Sequence, residues 1–200
     1  MHAYTAKEVS EGAWKRQSPN QTVGAGVNQP ASQMSAEKVD LNTSGAWKTV
    51  QGNGFSISVP GNWQSYGNQT SAMLAPAGGV ARSADGGAGS VVYGVLTDVY
   101  RPQQAMSFDA AFQALLDTIT SDNPGMVPGE TAAIPAAGTT GRSVESNNPE
   151  ANNGKGEHDW LVAFPQSDGS LRYFVFVAPT PDFEKLRPTF TKMLRSLKLG

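Results

Sequence analysis

Trp160-Leu161-Val162-Ala163-Phe164 and Leu171-Arg172-Tyr173-Phe174-Val175-Phe176-Val177-Ala178 are the stretches that decide the fold. In a strand, successive side chains point to opposite faces. Trp160, Val162 and Phe164 therefore share one face, and Leu161 and Ala163 the other. Likewise Tyr173, Val175 and Val177 oppose Phe174 and Phe176. Strands that are apolar on both faces belong in the middle of a sheet covered on both sides. Asp168-Gly169 between them marks the turn of an antiparallel hairpin.

Outward from this pair, Gly138 to Ser146 reads as a neighbouring strand. Val91 to Tyr100 reads as one long strand that Arg101-Pro102 ends. Ser107 is placed to cap a helix whose apolar stripe is Phe108, Ala111, Phe112, Leu115 and Ile119, and Asn123-Pro124-Gly125 stops it. Near the start, Trp47 to Gln51 and Phe55 to Pro60 flank Gly52-Asn53-Gly54, a hairpin pattern. Phe55, Ile57 and Val59 alternate with serines, so this hairpin buries one face only. Met73-Leu74-Ala75 is a short strand, and Gly78 to Ser90 is a Gly/Ala/Ser loop carrying Arg82 and Asp85. At the end, Pro188 disfavours a helix interior. The last helix is therefore expected to begin at Pro188, with 182–186 as a preceding turn. The expected architecture is α+β, a mostly antiparallel sheet sandwiched between helices.

The leader differs in kind. Between Trp14 and Trp47 there is no aromatic residue, and after Arg16 only Glu37, Lys38 and Asp40 are charged. Such a composition buries too little apolar surface to offset the entropy of ordering. Residues 1–46 are expected to be a short helix at 5–15, with Val9 and Trp14, and a disordered linker at 17–45. Residues 47–200 form the expected domain. A linker so close to residue 1 leads to the expectation that the chain was cut from a longer protein.

Composition excludes several classes. With 15 basic and 17 acidic residues, net −2, there is no electrostatic footprint for nucleic acid. No apolar run approaches a membrane span, and Met1-His2-Ala3-Tyr4 does not open a signal peptide. The absence of cysteine excludes disulfides, thiolate metal sites and cysteine nucleophiles. Charged residues are 16%, with Asn, Gln, Ser, Thr and Gly in their place, a balance that fits an extracytoplasmic, periplasmic or membrane-tethered protein. Asn20, Asn42 and Asn68 match the glycosylation spacing, a pattern that also arises by chance.

The element order resembles the PsbP-like fold. The resemblance rests on Gly54-Phe55-Ser56-Ile57-Ser58-Val59-Pro60-Gly61-Asn62-Trp63 and on Phe183-Glu184-Lys185-Leu186-Arg187-Pro188-Thr189-Phe190 through Leu197. A closer match runs through Tyr93-Gly94-Val95, Ser121 to Gly125, Glu157 to Val162 and Val175 to Pro179. It is similar to the C-terminal region that follows the peptidase domain in bacterial membrane-associated zinc metallopeptidases of the HtpX and CAAX-protease type. The resemblance implies a non-catalytic accessory domain of a larger protein, mediating protein–protein interaction or substrate positioning. The peptidase's H-E-x-x-H motif is absent, since His2 and His158 are the only histidines. No zinc, other cofactor or protease activity is therefore expected of this chain.

No residue is assigned a catalytic, cofactor-binding or metal-binding role. Glu157-His158-Asp159 is the nearest approach to a reactive cluster, but strand geometry sends His158 away from Asp159. Glu157 and Asp159 can share a face, yet two carboxylates make a poor transition-metal site. The plain reading of all three is a polar strand end. The Gly78–Ser90 loop lacks G-K-[ST], so phosphate binding is not expected. Lys185, Arg187, Lys192, Arg195 and Lys198 make the chain's end basic, which a helix C-terminus alone explains. Trp63, Tyr66 and Trp160 at strand spacing read as core. The alternative function is a stand-alone ligand-binding protein or hydrolase using His158 and nearby carboxylates.

Overall fold

The computed structural model describes residues 39–43, 45–81 and 90–200. The expected helix at 5–15, most of the linker, and Arg82 and Asp85 lie outside the described residues. Residues 39–43 lie against the domain. Leu41 packs on the apolar core, Thr43 Oγ1 is 2.8 Å from Thr189 Oγ1, and Asn62 Nδ2 donates to Asn42 O at 3.1 Å.

The expected hairpin is β1 (Trp47–Gly52) and β2 (Phe55–Pro60), closed by Asn53-Gly54 with Gly54 at φ 75°. Phe55, Ile57 and Val59 are buried and the serines between them are half-buried. There follow β3 (Gln64–Gly67), β4 (Ala72–Ala75), β5 (Val80–Ala81), β6 (Ser90–Val91) and β7 (Gly94–Tyr100). The expected continuous strand from Val91 is thus broken at Val92-Tyr93. The carbonyl of Gly79 accepts from both of their amides. Gly94 then turns at φ 147°, where a Cβ would lie 2.4 Å from Leu74 O of β4. A side chain there would collide with backbone, so the glycine marks a close crossing.

Helix α1 (Phe108–Asp122) starts as expected, with Ser107 Oγ accepting from Ala110 N, and buries Ala111, Phe112, Leu115, Leu116 and Ile119. After it come β8 (Val127–Pro128), β9 (Ala132–Ala136), β10 (Thr139–Asn148), the single turn α2 (Ala151–Gly154), β11 (Glu157–Pro165) and β12 (Leu171–Pro179). Helix α3 (Thr180–Ser196) is continuous, against the expected start at Pro188, which lies inside it. Pro188 is exposed. Its missing hydrogen bond therefore falls on the solvent side of the helix. Phe183 and Leu186 before it and Phe190, Met193 and Leu194 after it are all buried, so packing on both sides holds the helix through the proline. The chain ends in β13 (Lys198–Leu199), which pairs with β2.

The larger sheet runs β3-β4-β7-β12-β11-β10-β8, with β9 also on β10, and every pairing is antiparallel. The β11–β12 hairpin lies inside it, as its two-faced pattern requires. Trp160, Val162, Phe164, Phe174 and Phe176 share one apolar cluster with α3 and β2. Leu161, Ala163, Tyr173, Val175 and Val177 share the other with α1. Among the described residues no helix is long and apolar enough to cross a membrane.

Candidate functional site

Alternation along β11 separates the three residues of Glu157-His158-Asp159. His158 leaves on the α3 face. Its ring stacks on Phe183 at 3.9 Å between centroids and 21° between planes. Its Nε2 lies 2.8 Å from Glu145 Oε2. Arg187 of α3 binds the same carboxylate with two parallel bonds, 2.6 Å to Oε1 and 2.9 Å to Oε2, and also grips Glu184. Its guanidinium sits 4.9 Å from the Phe183 ring centroid.

Paired N–H donors favour the ionised carboxylate. The Arg187 guanidinium holds Glu145 below the usual carboxylate range, helped by His158, and the same bonds raise Arg187. With Glu145 ionised it can only accept, so His158 Nε2 carries the proton in this contact. The carboxylate that meets His158 is thus already held by Arg187.

Glu157 and Asp159 leave on the α1 face and are buried, at 1% and 3% exposure. This corrects the reading of a polar strand end. The segment around α2 folds over Glu157, and Asn152 Nδ2 donates to Glu157 Oε2 at 3.2 Å. Beside them β10 sets Asn148 opposite Glu157 and Ser146 opposite Asp159, both buried. Among the described residues no group of three or more His, Asp or Glu gathers as a metal site would.

The remaining candidates resolve individually. Trp63 and Trp160 are in the apolar core, whereas Tyr66 is half-buried with its hydroxyl donating to Gln64. Lys185 pairs with Asp182 at 2.6 Å, Lys192 lies 3.9 Å from the Trp47 ring centroid, and Arg195 and Lys198 are exposed. Asn68 Oδ1 accepts from the amides of Thr70 and Ser71, fixing a turn. Two open grooves flank α1. One, of about 430 Å³, is lined by Gln113, Leu116, Asp117, Thr120 and Pro128; the other, of about 550 Å³, by Tyr100, Arg101, Gln104, Met106 and Asp117. Neither reaches His158 or the buried carboxyls. Sequence reasoning missed Glu145 as His158's partner and Arg187 as the group that holds Glu145. Nothing local signals contacts made across 13 and 42 positions.

Fold and site together describe an α+β domain in which His158, the one histidine among the described residues, is tied into a cluster with Glu145 and Arg187. The solution structure of cyanobacterial PsbP (CyanoP) from Synechocystis sp. PCC 6803 has this fold. It superposes with a TM-score of 0.52 at 10% identity, covering 78% of this chain and 93% of that one. LpqN of Mycobacterium tuberculosis, a protein involved in cell envelope biogenesis, superposes with a TM-score of 0.45 at 10% identity, covering 77% of this chain and 90% of its own. No protein-family model matches the sequence, and the search of curated proteins finds no relative.

Proposed function

We propose that this chain is a non-catalytic accessory domain that binds a protein partner outside the cytoplasm. The observation that carries this reading is the engagement of His158. A histidine stacked on Phe183, bonded to Glu145 and backed by Arg187 serves as a clip between β10, β11 and α3. Its flanking carboxyls point through the sheet to the opposite face, so the hydrolase reading lacks a shared site for those three groups. The partner's place is the α1 side, where Met106 and Val127 are large apolar side chains left exposed and both grooves open. The compartment is inferred from the low charge content alone. The finer form of the proposal is the C-terminal module of a bacterial zinc metallopeptidase, positioning its substrate. It rests on the sequence resemblance alone.

The test is the size of the native polypeptide in its source cells, detected with an antibody against residues 47–200. A species far heavier than 21.0 kDa supports the attached module. A species near 21.0 kDa overturns the attachment. Hydrolysis by the purified chain that His158→Ala abolishes would overturn the non-catalytic reading itself.

A further inference from the structure

At the start of β11 the carboxyl groups of Glu157 and Asp159 lie within hydrogen-bonding reach of each other. Each presents a buried oxygen, Glu157 Oε1 and Asp159 Oδ1, that receives no N–H or hydroxyl donor. Ionised carboxylates only accept hydrogen bonds, so a contact between two of them needs a proton. Among the described residues, the strands beside them supply no counter-charge. β10 contributes Ser146 and Asn148, and β12 contributes Val177 and Pro179. Glu150 and Lys155 beside α2 are exposed to water, and Arg142 further along the face is paired with Asp109. Among the described residues, no cation acts on either carboxyl. Burial pushes both up, Asp159 to about 7, and the charge of Asp159 raises Glu157 further while Asn152 opposes it.

We propose that Glu157 and Asp159 hold one proton between them and form a pH-sensitive latch fastening residues 149–156 to the sheet. The latch works through Asn152, whose backbone is left-handed at φ 52°. Its Nδ2 donates both to Glu157 Oε2 and to Gly156 O, each at 3.2 Å. Gly156 O in turn accepts from Thr180 N, the first residue of α3, at 3.4 Å. Loss of the last proton leaves two adjacent buried negative charges, a state relieved by exposing Glu157 to water. That exposure breaks the Asn152 contacts and frees the segment from the start of α3. Both carboxyls are raised in the folded state. The stability they contribute is therefore complete below the ordinary carboxylate range. It starts to be lost as pH rises through about 7, where Asp159 gives up its proton, and is lost fully only at the higher pH at which Glu157 follows. The latch does not depend on the function proposed above.

The test is amide hydrogen exchange of residues 150–157 and Thr180 in the intact chain between about pH 5 and about pH 8, corrected for intrinsic rates. The opening constant is expected to rise up to about tenfold per pH unit for each proton released. Glu157→Gln and Asp159→Asn each flatten that rise, and the double variant removes it. A pH-independent opening constant in the wild-type protein overturns the latch. So does saturable protection by calcium at about pH 8 that a chelator reverses, because a cation and not a proton would then hold the pair. Should a variant fail to fold, the wild-type exchange slope decides alone.

Discussion

The two faces of the central sheet are fed by the same strands and are built differently. On the α3 face Phe55, Trp63, Trp160, Phe164, Phe174, Phe176, Phe183 and Phe190 meet in one aromatic cluster. On the α1 face the cluster is mainly aliphatic, with Phe112 and Tyr173 as its buried rings, and it gives way at one end to Ser146, Asn148, Glu157 and Asp159. The faces also place charge differently. Glu145 and Arg187 border the aromatic face with side chains 39% and 32% exposed, so water helps to solvate them. The α1 face buries the carboxyls of Glu157 and Asp159 outright. The contrast teaches that one face supplies rigid packing, and the other accepts polar groups whose state depends on protons. Single substitutions that probe each face separately can break this comparison.

The largest expected effect is on the aromatic face. Phe176 is fully buried and touches Trp160 and Phe190, with ring centroids 5.3 and 5.2 Å away. Phe176→Ala should lower the unfolding free energy by about 3–5 kcal/mol, read from urea denaturation. Next is Arg172, which is 2% exposed, 5.1 Å from the Phe55 ring centroid, and donates to Thr70 O and Asn53 O at 2.7 Å each. It ties the β1–β2 and β3–β4 turns to β12. Arg172→Ala strands both carbonyls and removes the cation near buried Asp98, and should cost about 3 kcal/mol. Val177, one residue from Phe176 and equally buried, faces α1. Val177→Ala should cost about 2 kcal/mol, and a value above that for Phe176→Ala would invert the comparison.

The two-faced pattern was legible in the sequence because its period is local. Trp160 to Phe164 and Leu171 to Ala178 announce both clusters without knowledge of what covers them. Asn53-Gly54 and Ser107 likewise declare a turn and a cap from adjacent residues. The misreadings arose where a distant contact overrides a local rule. Pro188 stays inside α3 because its ring faces water while Phe183 and Phe190 anchor the helix on either side. Tyr93 breaks a strand because Gly94 must pass the carbonyl of Leu74. β9, with its Pro135, and the two-residue β13 form only as partners of β10 and β2. The same limit governed the site. Alternation correctly divided His158 from Asp159, but the depth of Glu157 depends on Asn152 and the turn of chain around it, and no periodicity reports that.

The smallest effect sharpens the comparison at its exposed margin. Asp109 stands in the first turn of α1, and its carboxylate meets Arg142 of β10 at 2.8 Å, with side chains 67% and 28% exposed. It interacts favourably with the helix N-terminus and with the guanidinium, and both attractions are weakened by water. Asp109→Asn should therefore cost about 0.5 kcal/mol at low salt. At about 1 M salt the screening length falls to about 3 Å, and the difference from wild type should largely vanish. Charge on the α1 side would then matter where water is excluded, at Glu157 and Asp159, and little where it is not. A salt-independent loss well above 1 kcal/mol would instead mean that Asp109 and Arg142 lock α1 to the sheet, and that the α1 face is as rigidly held as the aromatic one.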